Sequence, residues 1–512
     1  MGFLDGSAVR MDCRANAWKS FALCLLVAAS SAVSCQNLNG GHGISGQGGD
    51  AALALTLRAI PVMPSQGTNL LSFSATVVGV SLTPMSGGSI NVPLNSASYH
   101  TDFVRLQSDA AFLGLGTAIP PGTYANLVVS LANPTVTYCL QTQGIPGCAA
   151  DSITTLSGEP ATPIISTSPF PLTLVGGQTD ALSIVVNLSN ALTVNPQTQA
   201  ITALDLGAAN IVTAIKLPRV ASSLAAGTID FVDDVTGIIS SVDSTAQSIT
   251  VQTATRGSLT AKAGPSTILS PNCTTFNLGA SLSCAKKGQV ASLDMTVNTD
   301  GTLRLVEYDP LAITGGDWVE GIVVQPPSGS TRFVMVTNDL VLAPSNTLIG
   351  SDLELGAPVT VNLTDPKPFV VDSKGLSIPA SGFSGATDAS ILQPGQALAV
   401  HVTGFTPASA ASNANANVDF VYLRFTRVTG SVDVVAAPNT FTMQSFPSFF
   451  GLALPVAVQL SAGEPSTTFD GVNDASSLVS EQPVSISALY FGSPTGPIPT
   501  PTPFCAARVR VP

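Results

Sequence analysis

Short runs of alternating apolar and polar residues, broken every few positions by Pro, Gly or Asn, fill the chain from residue 53 to about 218: Leu53-Ala54-Leu55-Thr56-Leu57, Ser72-Phe73-Ser74-Ala75-Thr76-Val77 and Ser183-Ile184-Val185-Val186-Asn187-Leu188. A period of two places successive side chains on opposite faces, so these runs predict strands. Their close spacing predicts a β-sandwich over residues 51–220. Ile119-Pro120-Pro121-Gly122-Thr123-Tyr124 reads as a turn feeding the strand Leu127-Val128-Val129, with Tyr124 covering the sandwich edge.

Beyond residue 220 the pattern repeats in degenerate form. Three segments open on Gly and two small or β-branched residues, at Gly237-Ile238-Ile239, Gly321-Ile322-Val323 and Gly430-Ser431-Val432. A second strand follows each, at Ser248-Ile249-Thr250-Val251, Arg332-Phe333-Val334-Met335 and Thr440-Phe441-Thr442-Met443. Basic alternating strands close them: Leu303-Arg304-Leu305-Val306, Leu423 to Val428, and Ala507-Arg508-Val509-Arg510-Val511. Val421, Leu423 and Phe425 share one face while Tyr422, Arg424 and Thr426 share the other, the alternation of a half-buried strand. Thr299-Asp300-Gly301-Thr302 supplies an Asp-Gly hairpin turn. Preceding the closing strands stand Lys287-Gly288-Gln289-Val290, Pro394-Gly395-Gln396-Ala397 and Glu481-Gln482-Pro483-Val484. The predicted fold class is therefore all-β: an N-terminal β-sandwich, then small β-barrel-like repeats at 225–310, 318–428 and 429–512. Modules this small bury limited apolar surface, so neighbours are expected to pack end to end into a rod.

Composition agrees with strands and bounds the partners. The 512 residues exceed one ordinary core, and apolar residues make up 45% of the chain against 10% charged, so Ser, Thr, Asn, Gln and Gly must supply much of the surface. A net charge of −12 with 19 scattered Lys and Arg leaves no basic stripe for phosphates, which argues against a nucleic-acid partner.

Residues 1–35 read as a signal peptide: Arg10, Arg14 and Lys19 precede the apolar run Phe21 to Val33, too short for an ordinary membrane span. Met11 is an alternative start. The run ends in Ala32-Val33-Ser34-Cys35, which resembles the lipobox of bacterial lipoproteins, with Ala32 where Leu is usual. That resemblance implies diacylglycerol on the Cys35 thiol and a membrane partner reached through the lipid. An ordinary cleavage site at the same bond is the alternative. Gln36 to Asp50, rich in Gly, reads as a tether with an r.m.s. reach of roughly 20 Å.

Two further resemblances attach to residues already quoted. The Pro-Gly-Thr-Tyr turn at 121–124, Val80-Ser81-Leu82 and Val186-Asn187-Leu188 together resemble the bacterial lipoprotein module called domain of unknown function 4382. The repeats resemble the small barrel called domain of unknown function 5666, often found in tandem in envelope proteins. Both imply a β-fold in the cell envelope and neither implies an activity.

Candidate chemistry is sparse. Cys139 with Cys148 and Cys273 with Cys284 each bracket a short loop, and pairing in an oxidising compartment would stabilise by about 2–3 kcal/mol per bridge. Cys505 is left over, expected buried in the last strand. No C-x-x-C exists, and none of His42, His100 and His401 lies in a nucleophile or zinc motif, so no metal, cofactor or catalytic residue is assigned. Asp230, Asp233 and Asp234 precede Thr236-Gly237 and read as a turn ahead of calcium binding or catalysis. Trp318 and Tyr308 read as core or a domain junction ahead of a sugar platform. The expectation is a non-enzymatic exported lipoprotein displaying β-domains for structural, adhesive or ligand-binding purposes, with an envelope polymer or protein as a further partner. A glycan hydrolase using loop carboxylates is the alternative.

Overall fold

A computed structural model describes residues 49–512 except 65–66, 141–145, 150–151, 160–162, 219–223, 225, 270–281, 312, 314, 379–381, 438, 464 and 493–503. The signal segment, Cys35, most of the tether with His42, and Cys273 lie outside the described residues. Among the described residues the regular structure is nearly all strand, with one four-residue α-helix at Leu188–Ala191 and a few short 3-10 turns.

The first module is a sandwich. Ala51–Ile60 pairs in parallel with Thr179–Asn187 and antiparallel with Ala111–Ile119 to make one sheet. The other is built on the long pair Thr68–Pro84 and Gly122–Leu140. Leu53, Leu55 and Leu57 face the core between the sheets with Phe73, Val129 and Ile184, as the period-two pattern requires. Tyr124 enters that core at 2% exposure, and its hydroxyl donates to the Pro120 carbonyl at 2.6 Å. The ring thus pins the turn from inside; it does not cap an edge.

Three six-stranded barrels follow, opening with Thr228–Asp243, Asp317–Ser328 and Thr426–Ala437, and closing with Leu303–Pro310, Ala414–Arg424 and Phe504–Arg510. Numbering strands within each barrel, all three have the spatial order 3-2-1-5-6-4, and strand 3 also pairs in parallel with strand 6 to close the ring. Closure leaves strands 3 and 4 end to end along the same edge of strand 6 and removes most of the free sheet edge. The Asp300-Gly301 hairpin stands where expected, with Asn298 N donating to Thr302 O. One reading changes: the segment Leu423 to Val428 is two strands, the second barrel closing at Arg424 and the third opening at Thr426.

The repeated glycines have a steric cause. A Cβ on Gly237, Gly321 or Gly430 would lie 2.5, 2.3 or 2.1 Å from the carbonyl oxygen of Gln252, Val336 or Ser445 on the neighbouring strand. Only hydrogen fits where strand 1 bends over strand 2. The turns before strand 5 are equally alike: Gly288, Gly395 and Glu481 adopt positive φ, and the N–H of each donates at 2.8 Å to strand 1, at Ile239, Val323 and Val432. Gln289, Gln396 and Gln482 close these turns by accepting from the backbone N–H three residues earlier.

The modules do not form a rod. In the second barrel Val319 and Val323 point into their own core, while Trp318 packs with Val290 and Leu311 of the first barrel, and Val324 joins the core of the third. Both faces of the opening strand are therefore buried, one inside the barrel and one against neighbouring modules. The sandwich lies against the barrels too: Ala110 N donates to Phe231 O, and Cys148 N to Val324 O. Residues 49–512 make a single unit.

Gly321→Ala is expected to lower stability by about 1–3 kcal/mol through the clash with Val336 O, read as a shift of the urea midpoint. An unchanged midpoint would contradict the steric account. Cys505 is a free, buried thiol whose pKa burial pushes up to about 11, so it is expected to resist a thiol reagent in the native protein and react fully in denaturant.

Candidate functional site

Where the four modules meet, strand faces that would otherwise point to solvent carry charge. Ala51–Ile60 sends Leu53, Leu55 and Leu57 into the sandwich, so Arg58 emerges on the opposite face. The guanidinium meets Asp230 of the first barrel at 2.7 Å and Asp470 of the third at 2.9 Å. Arg510, from the final strand, shares Asp470 at 3.0 Å. Arg105 of the sandwich pairs with Asp339 and Glu320 of the second barrel at 3.1 and 3.4 Å, and Arg256 of the first barrel also binds Asp339.

Asp234 is the meeting point. A register shift between Val232 and Val235 on the opening strand marks a β-bulge, with Asp234 at φ 48°. The bulge keeps Val232 and Val235 in the barrel core and displays Asp233 and Asp234 outside it. Lys374 and Arg424 of the second barrel reach the Asp234 carboxylate at 3.0 and 3.1 Å, Arg427 of the third barrel binds its other oxygen, and Arg105 of the sandwich donates to its backbone carbonyl at 3.0 Å. One residue thus joins all four modules. Beside it Arg508 bridges Asp233 at 2.8 Å and Asp109 at 3.3 Å, and Arg424 binds Asp372 at 2.9 Å.

Among the described residues this junction holds Asp109, Asp230, Asp233, Asp234, Asp294, Glu307, Asp309, Glu320, Asp339, Asp372 and Asp470 against Arg58, Arg105, Arg256, Lys374, Arg424, Arg427, Arg508 and Arg510. Eleven acids face eight cations, an excess of three. Of these eleven carboxyls three are displaced upward. Burial pushes Asp233 up to about 6, helped by Asp294 and Asp109. It carries Asp372 up to about 7 despite Arg424, with Asp309 adding to the rise. Glu307 goes well above its ordinary value through burial and the nearby Asp372 and Asp294. Burial would raise Asp234 as well, but Lys374, Arg427, Arg424 and Arg105 outweigh it and hold that carboxyl well below the usual range.

Asp230, Asp233 and Asp234 are thus not a turn; they are strand residues and the centre of a buried ionic junction. The local signal that misled was Asp before Thr-Gly. The signal that could have found them is Arg or Lys recurring on one face of otherwise apolar strands, which needs partners. Trp318 and Tyr308 are fully buried, so they form no exposed sugar platform; Tyr308 donates to Gln289 within its own barrel. His100 and His401 sit on strands, His401 paired with Asp419 at 2.7 Å. Cys139 and Cys148 form a disulfide with Cα atoms 5.8 Å apart, and Cys284 is disulfide-bonded, its expected partner Cys273 being outside the described residues.

A cleft of about 70 Å³ where the three barrels converge is lined by Asp233, Asp294 and Glu307 with Lys374 and Arg508. It has room for a few waters, far short of a sugar-sized pocket of roughly 300 Å³ or more. Among the described residues no group of three or more His, Cys, Asp or Glu is placed to hold a metal ion, and no helix is long and apolar enough to cross a membrane. The sequence matches no protein-family model and no curated protein.

Asp234→Ala leaves Lys374, Arg424 and Arg427 short of a partner in a buried site and is expected to cost about 3–5 kcal/mol, measured by urea unfolding. A loss below 1 kcal/mol would mean the junction is not what holds the modules. Asp233 and Asp372 bind protons more tightly folded than unfolded, so their stabilisation is complete below about pH 4 and is lost as pH rises through 6 to 7. Asp234 acts oppositely, its contribution present above about pH 4 and lost in stronger acid. Melting temperature is expected to fall between about pH 5 and 8 at constant ionic strength, and Asp372→Asn to flatten the upper part of that fall. A rise over this window would refute the assignment.

Proposed function

We propose that this protein is a non-enzymatic exported lipoprotein, held to a membrane through lipid on Cys35, whose β-modules form one body on the cell envelope for structural, adhesive or ligand-binding purposes. The observation that carries the non-enzymatic reading is how the buried charge is used. Asp234 is consumed by three cations from two other modules, and its neighbours are likewise bonded across module boundaries. Groups held this way fasten modules together; they are poorly placed to meet a polymer substrate.

The Cys139–Cys148 disulfide supports an oxidising compartment, as the signal segment does. Its loop also fastens modules: Gly147 N donates to Phe449 O of the third barrel at 2.6 Å, beside the Cys148 bond to the second. The resemblances to domains of unknown function 4382 and 5666 fit the same reading, resting on the residues quoted for them.

Labelled palmitate should appear on the protein in the membrane fraction of expressing cells and vanish with Cys35→Ala; recovery in the cytosol with reduced thiols would end the proposal. Purified protein is expected to turn over no chromogenic glycoside. Turnover abolished by Asp233→Asn would replace this reading with the hydrolase.

A further inference from the structure

Where the three barrels converge, the small cleft described above has one side chain that no neighbour satisfies. On the closing strand of the first barrel, a register shift between Asp294 and Met295 leaves Val306 without a partner opposite it. Leu305 and Tyr308 therefore both stay in the core, and Glu307 turns outward beside Asp294. Glu307 is 5% exposed and lines the cleft, yet among the described residues its carboxyl has no hydrogen bond and no ion pair. A buried carboxylate without a partner is a demand for a donor that carries positive charge.

The charges on the wall do not balance. Asp233, Asp294 and Glu307 face Lys374 and Arg508. Lys374 binds Asp294 and, at 3.0 Å, Asp234; Arg508 binds Asp233 at 2.8 Å and Asp109 at 3.3 Å. Each cation on the wall thus answers one acid on the wall and one behind it, and Glu307 is left over. The charges that act on it most strongly are Asp372, Asp294 and Asp309, against Lys374 alone. Arg424, the next cation, is held by Asp372 at 2.9 Å and Asp234 at 3.1 Å.

Size and access narrow the ligand. The cleft of about 70 Å³ holds no more than a few waters, and its lining includes half-buried Pro465 and exposed Ser466, so it opens to solvent. Among the described residues the carboxyls are not grouped to hold a metal ion, whereas an ammonium carries its charge on three N–H donors. We propose that this cleft binds one protonated primary amine, whose ammonium donates to Glu307 and supplies the single positive charge the wall lacks. The site needs neither the lipid on Cys35 nor an envelope location, so failure of palmitate labelling would leave it standing.

The probes are methylammonium and tetramethylammonium, which has the same charge, a larger body and no N–H. Each replaces sodium ion for ion, at constant ionic strength, in titrations of the intact protein followed by calorimetry and melting temperature. At about pH 9 methylammonium is expected to bind saturably, roughly tenfold or more tightly than tetramethylammonium, and to raise the melting temperature. The amine competes with a proton on Glu307, which burial and the adjacent acids make harder to remove, so binding is expected to be at least about tenfold weaker at pH 5. Asp233 and Asp372 gain protons over the same range, and Glu307→Gln isolates the one carboxyl. That variant keeps the shape and removes the charge, so it should abolish the preference for methylammonium with the melting temperature at pH 9 unchanged or raised. Equal binding of the two cations at pH 9, no saturable binding of methylammonium up to about 100 mM, or a preference undiminished at pH 5 would each overturn the assignment. A folded Glu307→Gln protein that keeps the preference would do the same; should the variant fail to fold, the pH series carries the test.

Discussion

Burying a carboxylate is tolerable only when the cations that neutralise it are held in place, and at Asp234 those cations arrive from separate modules. None of the four modules can satisfy the junction alone. Lys374 without Asp234 and Asp294, or Arg58 without Asp230 and Asp470, would lose every carboxylate that pairs with it across a module boundary. The apolar contacts around Trp318 and Val324 supply attraction between modules, which is non-directional. The ion pairs select one arrangement among the many that attraction alone would permit.

The same geometry explains what could be read from the chain and what could not. Alternation predicted the strands, and the recurring Gly237, Gly321 and Gly430 marked the repeat correctly because each meets a neighbouring carbonyl too closely for a side chain. Val421 and Leu423 of the second closing strand, and Phe425 just beyond its end, do join the core of the second barrel. The outer face, with Tyr422 and Arg424, was expected to meet water and meets other modules instead. Periodicity reports which residues lie on a face and says nothing of what that face touches. For this reason the rod and the turn at Asp233-Asp234 both failed. The bulge between Val232 and Val235 also breaks the period at the one place where the pattern mattered most.

The raised proton affinity of Asp233, Glu307 and Asp372 belongs to the same account. Burial is the largest cause of the rise at all three; it outweighs Arg508 and Lys374 at Asp233 and Arg424 at Asp372, while at Glu307 the acids Asp372 and Asp294 add to it.

The three barrels share strand order, bend glycines and the Gln-closed turn, yet their outward faces differ in sign. The first is mainly acidic, offering Asp230, Asp233 and Asp234 beside one Arg256; the second mixes Glu320 and Asp339 with Lys374 and Arg424; the third is mainly basic, presenting Arg427, Arg508 and Arg510 beside one Asp470. Copies that are interchangeable inside are therefore not interchangeable in sequence position. Permuting them along the chain would confront acid with acid and base with base, so the polarity of each outer face acts as an address that fixes the order in which duplicated units can be strung.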